Sequence, residues 1–85
     1  MKHAGAAALD ALEPLVAKIR SHASLREKGR GVFYRKGRAW LHFHEDPAGL
    51  FADLFDGSEW SRLRVSEPGE QRALLARISD LLGEP

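Results

Sequence analysis

Two histidines separated by one residue, His42 and His44, are the side chains of this sequence most suited to chemistry. On a β-strand, side chains at positions i and i+2 project to the same side, so these two imidazoles can share a metal ion. Asp53, predicted on the neighbouring strand, would add an oxygen ligand. The same spacing suits an ordinary strand whose imidazoles pack on aromatic rings and hydrogen-bond to Asp53. The sequence favours the ordinary strand, with no metal ion and no cofactor.

A cross-strand row of His42, Asp53 and Arg62 is the second candidate for chemistry. A carboxylate beside an imidazole raises the pKa of the imidazole, as general acid–base catalysis requires. An arginine alongside binds phosphate or carboxylate groups. No serine or cysteine nucleophile and no glycine-rich phosphate loop accompanies the row, and the same residues also form an ordinary ion pair. A metal-dependent or acid–base enzyme therefore ranks third among the functions considered, and no catalytic residue is assigned.

Hydrophobic periodicity predicts two helices that enclose four strands. An apolar stripe over 12–19 has helical spacing, and Asp10 with Glu13 has the spacing of a capping box. Ser66 is predicted to cap the second helix and Gly83 to end it. The predicted segments are a frayed start at 1–8, a helix at 11–22, a loop at 24–30, strands at 31–36, 39–45, 50–55 and 60–65, and a helix at 67–82. We expect a single α+β domain over residues 1–85, with a four-stranded antiparallel meander and both helices on one face.

Loop lengths predict which side chains share a face, because directly opposite residues of antiparallel strands point to the same side. A four-residue loop at 46–49 places His42 opposite Asp53. A two-residue turn at 36–37 places Phe33 on the same side as His42, whereas a three-residue turn would move it to the core. The helices cover only one side of the sheet, which leaves an open face made of Phe33, Trp40, His42, His44, Phe51, Asp53, Phe55, Trp60, Arg62 and Arg64. An apolar patch of that size indicates a binding surface.

The near-neutral net charge of +1 hides a strong segregation of charge along the chain. Residues 18–38 hold eight basic residues and one acidic residue, whereas residues 45–59 hold five acidic residues and no basic residue. The candidate basic patch consists of Arg26, Lys28, Arg30, Arg35, Lys36 and Arg38. A basic segment beside aromatic side chains favours single-stranded nucleic acid. The acidic segment would repel such a ligand, and two copies can instead pair the basic segment with the acidic one.

Composition excludes several classes of protein. The 85 residues suffice for one small domain, and 44% hydrophobic with 29% charged residues is typical of a folded chain. The absence of cysteine excludes disulfides, thiolate zinc sites and a cysteine nucleophile. No apolar run is long enough to cross a bilayer, and the apolar stretch before Asp10 is too short for a secretory signal. We therefore expect a cytoplasmic protein with no membrane partner.

The hairpin region resembles a group of small bacterial proteins to which no activity has been assigned. The resemblance lies in GVFYRKGRA at 31–39, LHFHEDPAGL at 41–50 and ADL at 52–54. It implies a bacterial, cytoplasmic origin and implies nothing about mechanism.

The open face therefore predicts a small binding or interaction module that self-associates as a homodimer. The alternative is a nucleic-acid-binding protein that uses the basic segment 26–38.

Overall fold

Apolar residues that alternate along the chain, separated by glycine-containing turns, form antiparallel strands that two helices cover. The computed structural model describes residues 1–84; Pro85, the last residue of the predicted domain, lies outside them. The elements are β1 (Lys2–His3), α1 (Ala6–Arg20), β2 (Arg26–Gly29), β3 (Val32–Arg35), β4 (Arg38–Asp46), β5 (Gly49–Phe55), β6 (Trp60–Arg64) and α2 (Pro68–Leu82). Strands β2 to β6 form a meander in chain order, and β1 pairs with β4. The α+β class and the antiparallel sheet are confirmed, whereas the predicted number of four strands is too low.

One apolar core joins both helices to the sheet. Its buried members from the helices are Leu12, Leu15, Val16, Ile19, Leu74 and Ile78. From the facing side of β4 and β5 it includes Leu41, Phe43, Ala52 and Leu54, each at most 3% exposed. Within residues 1–84, neither helix is long and apolar enough to cross a membrane.

The register of the central strands matches the prediction from loop lengths. His42 lies opposite Asp53 and His44 opposite Phe51 across β4 and β5. Across β5 and β6, Asp53 lies opposite Arg62, and the neighbouring pairs are Phe51 with Arg64 and Phe55 with Trp60. The sheet therefore places the two strand histidines, the carboxylate and the arginine on one face, as their spacing predicts.

The predicted fraying of residues 1–8 is wrong. Lys2 and His3 pair with Glu45 and His44 of β4, and the Ala4 amide donates to the Phe43 carbonyl at 3.1 Å. The Gly5 amide donates to Glu45 Oε2 at 2.6 Å. Backbone hydrogen bonds to β4 thus hold a segment that has no hydrophobic periodicity of its own.

The first helix begins at Ala6, five positions before the predicted start at 11, and ends at Arg20. Alanine has the highest helix propensity, so the alanine-rich run after Gly5 extends the helix backward. Asp10 and Glu13 do not cap the helix, because both lie inside it and Gly5 is the N-cap. Their carboxylates instead contact Arg30, at 2.8 and 3.0 Å. Pro14 lies inside the helix and leaves the Asp10 carbonyl without its usual amide donor.

The segment 24–30, predicted as a loop, contains strand β2. Its polar sequence lacks an apolar alternation, but Glu27 fixes it in place. The Arg20 guanidinium donates to both carboxylate oxygens of Glu27, and the Gly31 amide donates to Glu27 Oε2 at 2.8 Å. The Glu27 side chain therefore anchors β2 to helix α1 by an ion pair and to Gly31, the residue before β3, by accepting its backbone amide.

The β3–β4 hairpin has the predicted two-residue turn, Lys36-Gly37. Both residues have positive φ, 52° and 81°, as a type I′ turn requires.

A β-bulge beyond this turn reverses the predicted faces of β3. Tyr34 lies opposite Ala39 but Phe33 lies opposite Leu41, so Trp40 is an extra residue in β4. Phe33 consequently points into the core with Leu41 and is 1% exposed. Its predicted place on the open face is wrong, because one extra residue changes the parity of the pairing.

The second helix is capped one residue later than predicted. Glu67 is the N-cap and forms a reciprocal capping box with Glu70, while Pro68 occupies the first turn. The Ser66 hydroxyl instead accepts the Leu50 amide at 2.8 Å. Gly83 ends the helix in the left-handed region at φ 68°, as its position predicts.

Candidate metal centre

Three histidines meet where β1 lies beside β4. His42 and His44 alternate with core residues along β4, and His3 is directly opposite His44 in the β1–β4 pair. Because opposite residues of an antiparallel pair share a face, all three imidazoles project to the side of the sheet away from the helices. The short β1 strand thus completes a cluster of which β4 alone supplies two members.

The imidazole rings are close enough to hold one ion. One nitrogen from each of His3, His42 and His44 lies within 4.8 Å of the others. Within residues 1–84, this is the one group of three potential metal ligands that lie so close together. The ring centroids of His3 and His44 are 4.7 Å apart, and those of His42 and His44 are 4.9 Å apart. Three converging imidazole nitrogens are a donor set typical of transition metals.

The closest nitrogen pair has a spacing near that of two ligands on one ion. His42 Nδ1 and His44 Nε2 are 3.0 Å apart. Two imidazole ligands on a tetrahedral zinc ion, each about 2.0–2.1 Å from the metal, lie about 3.3 Å from each other. Two bare lone pairs at such a distance repel, so either a proton or a cation must lie between them. A metal ion can therefore replace the shared proton with little movement of the rings.

Asp53 gives the site a fixed negative charge. Its Oδ2 lies 3.1 Å from His44 Nε2, and both carboxylate oxygens accept from Arg62, at 2.7 and 2.9 Å. The hydrogen bonds from Arg62 hold the pKa of Asp53 below its ordinary value, against the opposing effect of burial. The carboxylate is therefore ionised at neutral pH and can balance part of the charge of a bound cation.

His42 is held in the neutral form that metals require. Burial is the main cause that lowers the pKa of His42, and the nearby His44 and His3 act in the same direction, while Asp53 acts against them. The Trp60 ring also lies close to His42, with centroids 5.1 Å apart. A neutral imidazole offers a lone pair without first losing a proton.

His44 has a nitrogen that lacks a partner. Its side chain is buried, and Nδ1 has no hydrogen-bond partner among the described residues. An unpartnered buried nitrogen costs free energy unless something binds it, and such atoms call for a specific explanation. The nitrogen that faces His42 is Nε2, so an ion bound there would leave Nδ1 unpartnered.

The predicted open face is smaller than the sequence suggests. Phe33 is in the core, and Trp40 and Phe55 are buried at 2% and 7% exposure. Within residues 1–84 the exposed large hydrophobic side chains are Trp60 and Met1. Charged side chains cover part of the apolar surface that the sequence predicts to be exposed. The Arg38 guanidinium, for example, lies over the Phe55 ring, 4.4 Å from its centroid. The face that remains is polar around the histidines and apolar mainly at Trp60.

Two arginines of the predicted face are engaged with carboxylates. Arg62 binds Asp53, and Arg64 binds Glu70 of α2 at 3.0 Å. In the basic patch, Arg30 is likewise paired with Asp10 and Glu13. The remaining members of the patch, Arg26, Lys28, Arg35, Lys36 and Arg38, form no ion pair among residues 1–84.

His3 is the site residue that sequence reasoning missed. The segment around it shows no strand periodicity, and its pairing with β4 depends on a contact some forty positions away along the chain. The signal that the sequence offers is the residue type, because position 3 holds a histidine, as do positions 42 and 44. Asp53, placed correctly opposite His42, is not a member of the group of three, although its carboxylate contacts both His44 and Arg62.

No family model, curated protein or solved structure matches this chain.

Proposed function

We propose that the chain is a small metal-binding domain in which His3, His42 and His44 bind one divalent transition-metal ion, with Zn²⁺ as the favoured ion. The observation that supports this most directly is the convergence of three imidazole nitrogens within 4.8 Å. The 3.0 Å separation of His42 Nδ1 and His44 Nε2 adds to it. The sequence alone favours an ordinary strand at His42 and His44, and the contribution of His3 from β1 changes that balance.

The donor set selects the class of ion. Imidazole nitrogen suits zinc, nickel, copper and iron, whereas calcium and magnesium prefer sets of oxygen ligands. Three protein nitrogens leave a fourth tetrahedral position, which a water molecule or Asp53 Oδ2 can occupy. Arg62 restrains Asp53 beside the site, so its carboxylate supplies charge even where it is not a ligand.

Zinc binding would stabilise the fold by linking β1 to β4. A ligand at about 100 times its dissociation constant adds about 2.7 kcal/mol to the free energy of unfolding. For a domain of this size that corresponds to a rise in Tm of roughly 10–20 °C.

The test is the shift of Tm with ZnCl₂ in the wild type and in single histidine variants. We expect the rise in Tm in the wild type to disappear in His42→Gln and to fall strongly in His3→Gln. His3 is exposed, so its replacement leaves the core intact even where a change at buried His44 disturbs folding. His22→Gln is the matched control, because His22 contacts Glu84 at the far end of α1.

The control must keep the zinc response of the wild type. Equal zinc responses in the wild type, His3→Gln and His42→Gln would reject the proposal, as would the loss of the response in His22→Gln alone.

Association with a second copy through the same sheet face is the second candidate function. The observation that favours it is the exposure of Trp60, 45% accessible beside the histidines. The segregation of basic and acidic segments along the chain gives two copies complementary surfaces.

A further inference from the structure

Three basic side chains of the β2–β3 region have no carboxylate partner within residues 1–84. They are Arg26 and Lys28 of β2 and Lys36 of the turn that follows β3. Glu27, which lies between the first two in the sequence, is bound to Arg20 of α1 instead. The three cations are therefore available to an anion from outside the chain.

All three cations line one cavity of about 400 Å³. Its wall also includes Ser24 and Leu25, from the loop between α1 and β2, and Tyr34 of β3. Among the described residues, no aspartate or glutamate lines it. Its volume falls within the range of sites for small molecules.

Tyr34 brings two of the cations together. Arg26 lies directly opposite Tyr34 in the β2–β3 pair, so their side chains share a face. The Lys28 ammonium lies over the Tyr34 ring, with Nζ 4.4 Å from the ring centroid. An ammonium group held by an aromatic ring loses less freedom when an anion binds, so this part of the cavity is preorganised.

One carboxylate, that of Glu84, contacts the wall from outside the cavity. Its Oε1 accepts from the Ser24 hydroxyl at 3.2 Å and lies 3.1 Å from His22 Nδ1. Glu84 can offset one of the three positive charges at most. The cavity therefore keeps an excess of about two positive charges, which a dianion balances.

We propose that this cavity binds the phosphate group of a small phosphate monoester. Such a group carries close to two negative charges at neutral pH and offers three acceptor oxygens. The Arg26 guanidinium can donate to two of these oxygens at once, while the lysines act as point charges. Leu25 and the Tyr34 ring offer apolar surface to the organic part of the ester.

A small ester suits this cavity better than a strand of nucleic acid does. The three cations line a single recess, whereas a strand requires positive charge along a groove. The acidic segment at 45–59 would also repel a long polyanion. The cavity shares no residue with the histidine cluster, so the phosphate site is independent of the proposed metal site.

The first test titrates phenyl phosphate into isotope-labelled protein, in the presence of a metal chelator, and follows the backbone amide resonances. We expect the amides that line the cavity to shift, and phenol to leave them unchanged. The variant Arg26→Gln with Lys28→Gln removes two exposed charges from the cavity, and we expect about tenfold or greater loss of affinity. The matched control, Arg72→Gln with Arg77→Gln, removes two exposed charges from α2 and should bind as the wild type does.

The second test compares phenyl phosphate with phenyl sulfate, which has a similar shape but carries a single negative charge. We expect phenyl phosphate to bind about tenfold more tightly at about pH 7.5, and the two to bind alike at about pH 5, because the second pKa of a phosphate monoester is about 6. Protonation of His22 or Glu84 affects both ligands, so the comparison isolates the charge of the phosphate.

Four outcomes would overturn the proposal. The first is equal weakening of phenyl phosphate binding in the cavity and control variants, and the second is equal affinity for phenyl phosphate and phenyl sulfate at about pH 7.5. The third is inorganic phosphate binding as tightly as phenyl phosphate, which would indicate a site for an inorganic anion only. The fourth is binding of a single-stranded oligonucleotide without binding of phenyl phosphate, which would assign the basic residues to nucleic acid.

Discussion

At the scale of single residues, period-two spacing identifies His42, His44, Asp53 and Arg62 as neighbours on one face, and the observed register agrees. The reason is local: strand side chains alternate, and the loops that set the register contain recognisable turn residues. His3 is different, because its place depends on backbone pairing with a distant strand and on no pattern in its own segment.

Two aromatic residues that differ in solvent exposure give a prediction at this scale. Phe33 is 1% exposed in the core, whereas Trp60 is 45% exposed. We expect Phe33→Ala to lower the free energy of unfolding by about 3–5 kcal/mol, the range for a large buried aromatic residue. Trp60→Ala should lower it by about 1 kcal/mol or less. Urea denaturation measures both, and similar losses for the two variants would contradict the placement of Phe33.

At the scale of elements, the sequence predicts β4, β5, β6 and α2 well because each has a clear apolar period between turn signals. The polar residues of β2 predict a loop, and the strand forms because Glu27 contacts Arg20 of α1 and the Gly31 amide before β3. The sequence pattern does not predict the β-bulge at Trp40 either, because one extra residue barely changes the composition of the hairpin. Tertiary contacts, which no local pattern encodes, decide these two elements.

The anchoring of β2 makes a pH-dependent prediction. The hydrogen bond from Arg20 is the main cause that holds the pKa of Glu27 below its ordinary value, and burial acts in the opposite direction. A carboxyl whose pKa is lower in the folded chain stabilises the fold above its unfolded pKa, and this stabilisation is lost as the pH falls through the folded pKa. We expect Glu27→Gln to lower the free energy of unfolding by about 1 kcal/mol at neutral pH.

The difference between wild type and Glu27→Gln should shrink as the pH falls below the ordinary pKa of glutamate, because the wild-type carboxyl is then protonated as well. Urea denaturation at neutral pH and in acid measures this difference. A deficit that stays constant down to the most acidic condition would show that the charge of Glu27 does not anchor β2.

At the scale of the whole molecule, the small core and the short β1 strand link metal binding to the stability of the fold. Strand β1 has two residues and holds His3 against β4 through few contacts. A metal ion ligated from both strands would therefore add strongly to the cohesion of this part of the sheet.

Self-association also belongs to this scale, and the exposed Trp60 provides its test. Trp40 is unsuitable for this purpose, because it is 2% exposed and its replacement would disturb the core. If the sheet face joins two copies, light scattering at two protein concentrations should give a dimer for the wild type and a monomer for Trp60→Asp. The same mass for both proteins would exclude Trp60 from any interface.

The central claim, that three histidines form one metal site, is tested most directly by titrating the chain with Co²⁺ and recording its visible absorption. The account predicts intense bands typical of a four-coordinate ion, saturation at one ion per chain, displacement by Zn²⁺, and loss of the bands in His3→Gln but not in His22→Gln. A spectrum that remains that of hydrated Co²⁺ throughout the titration would contradict it.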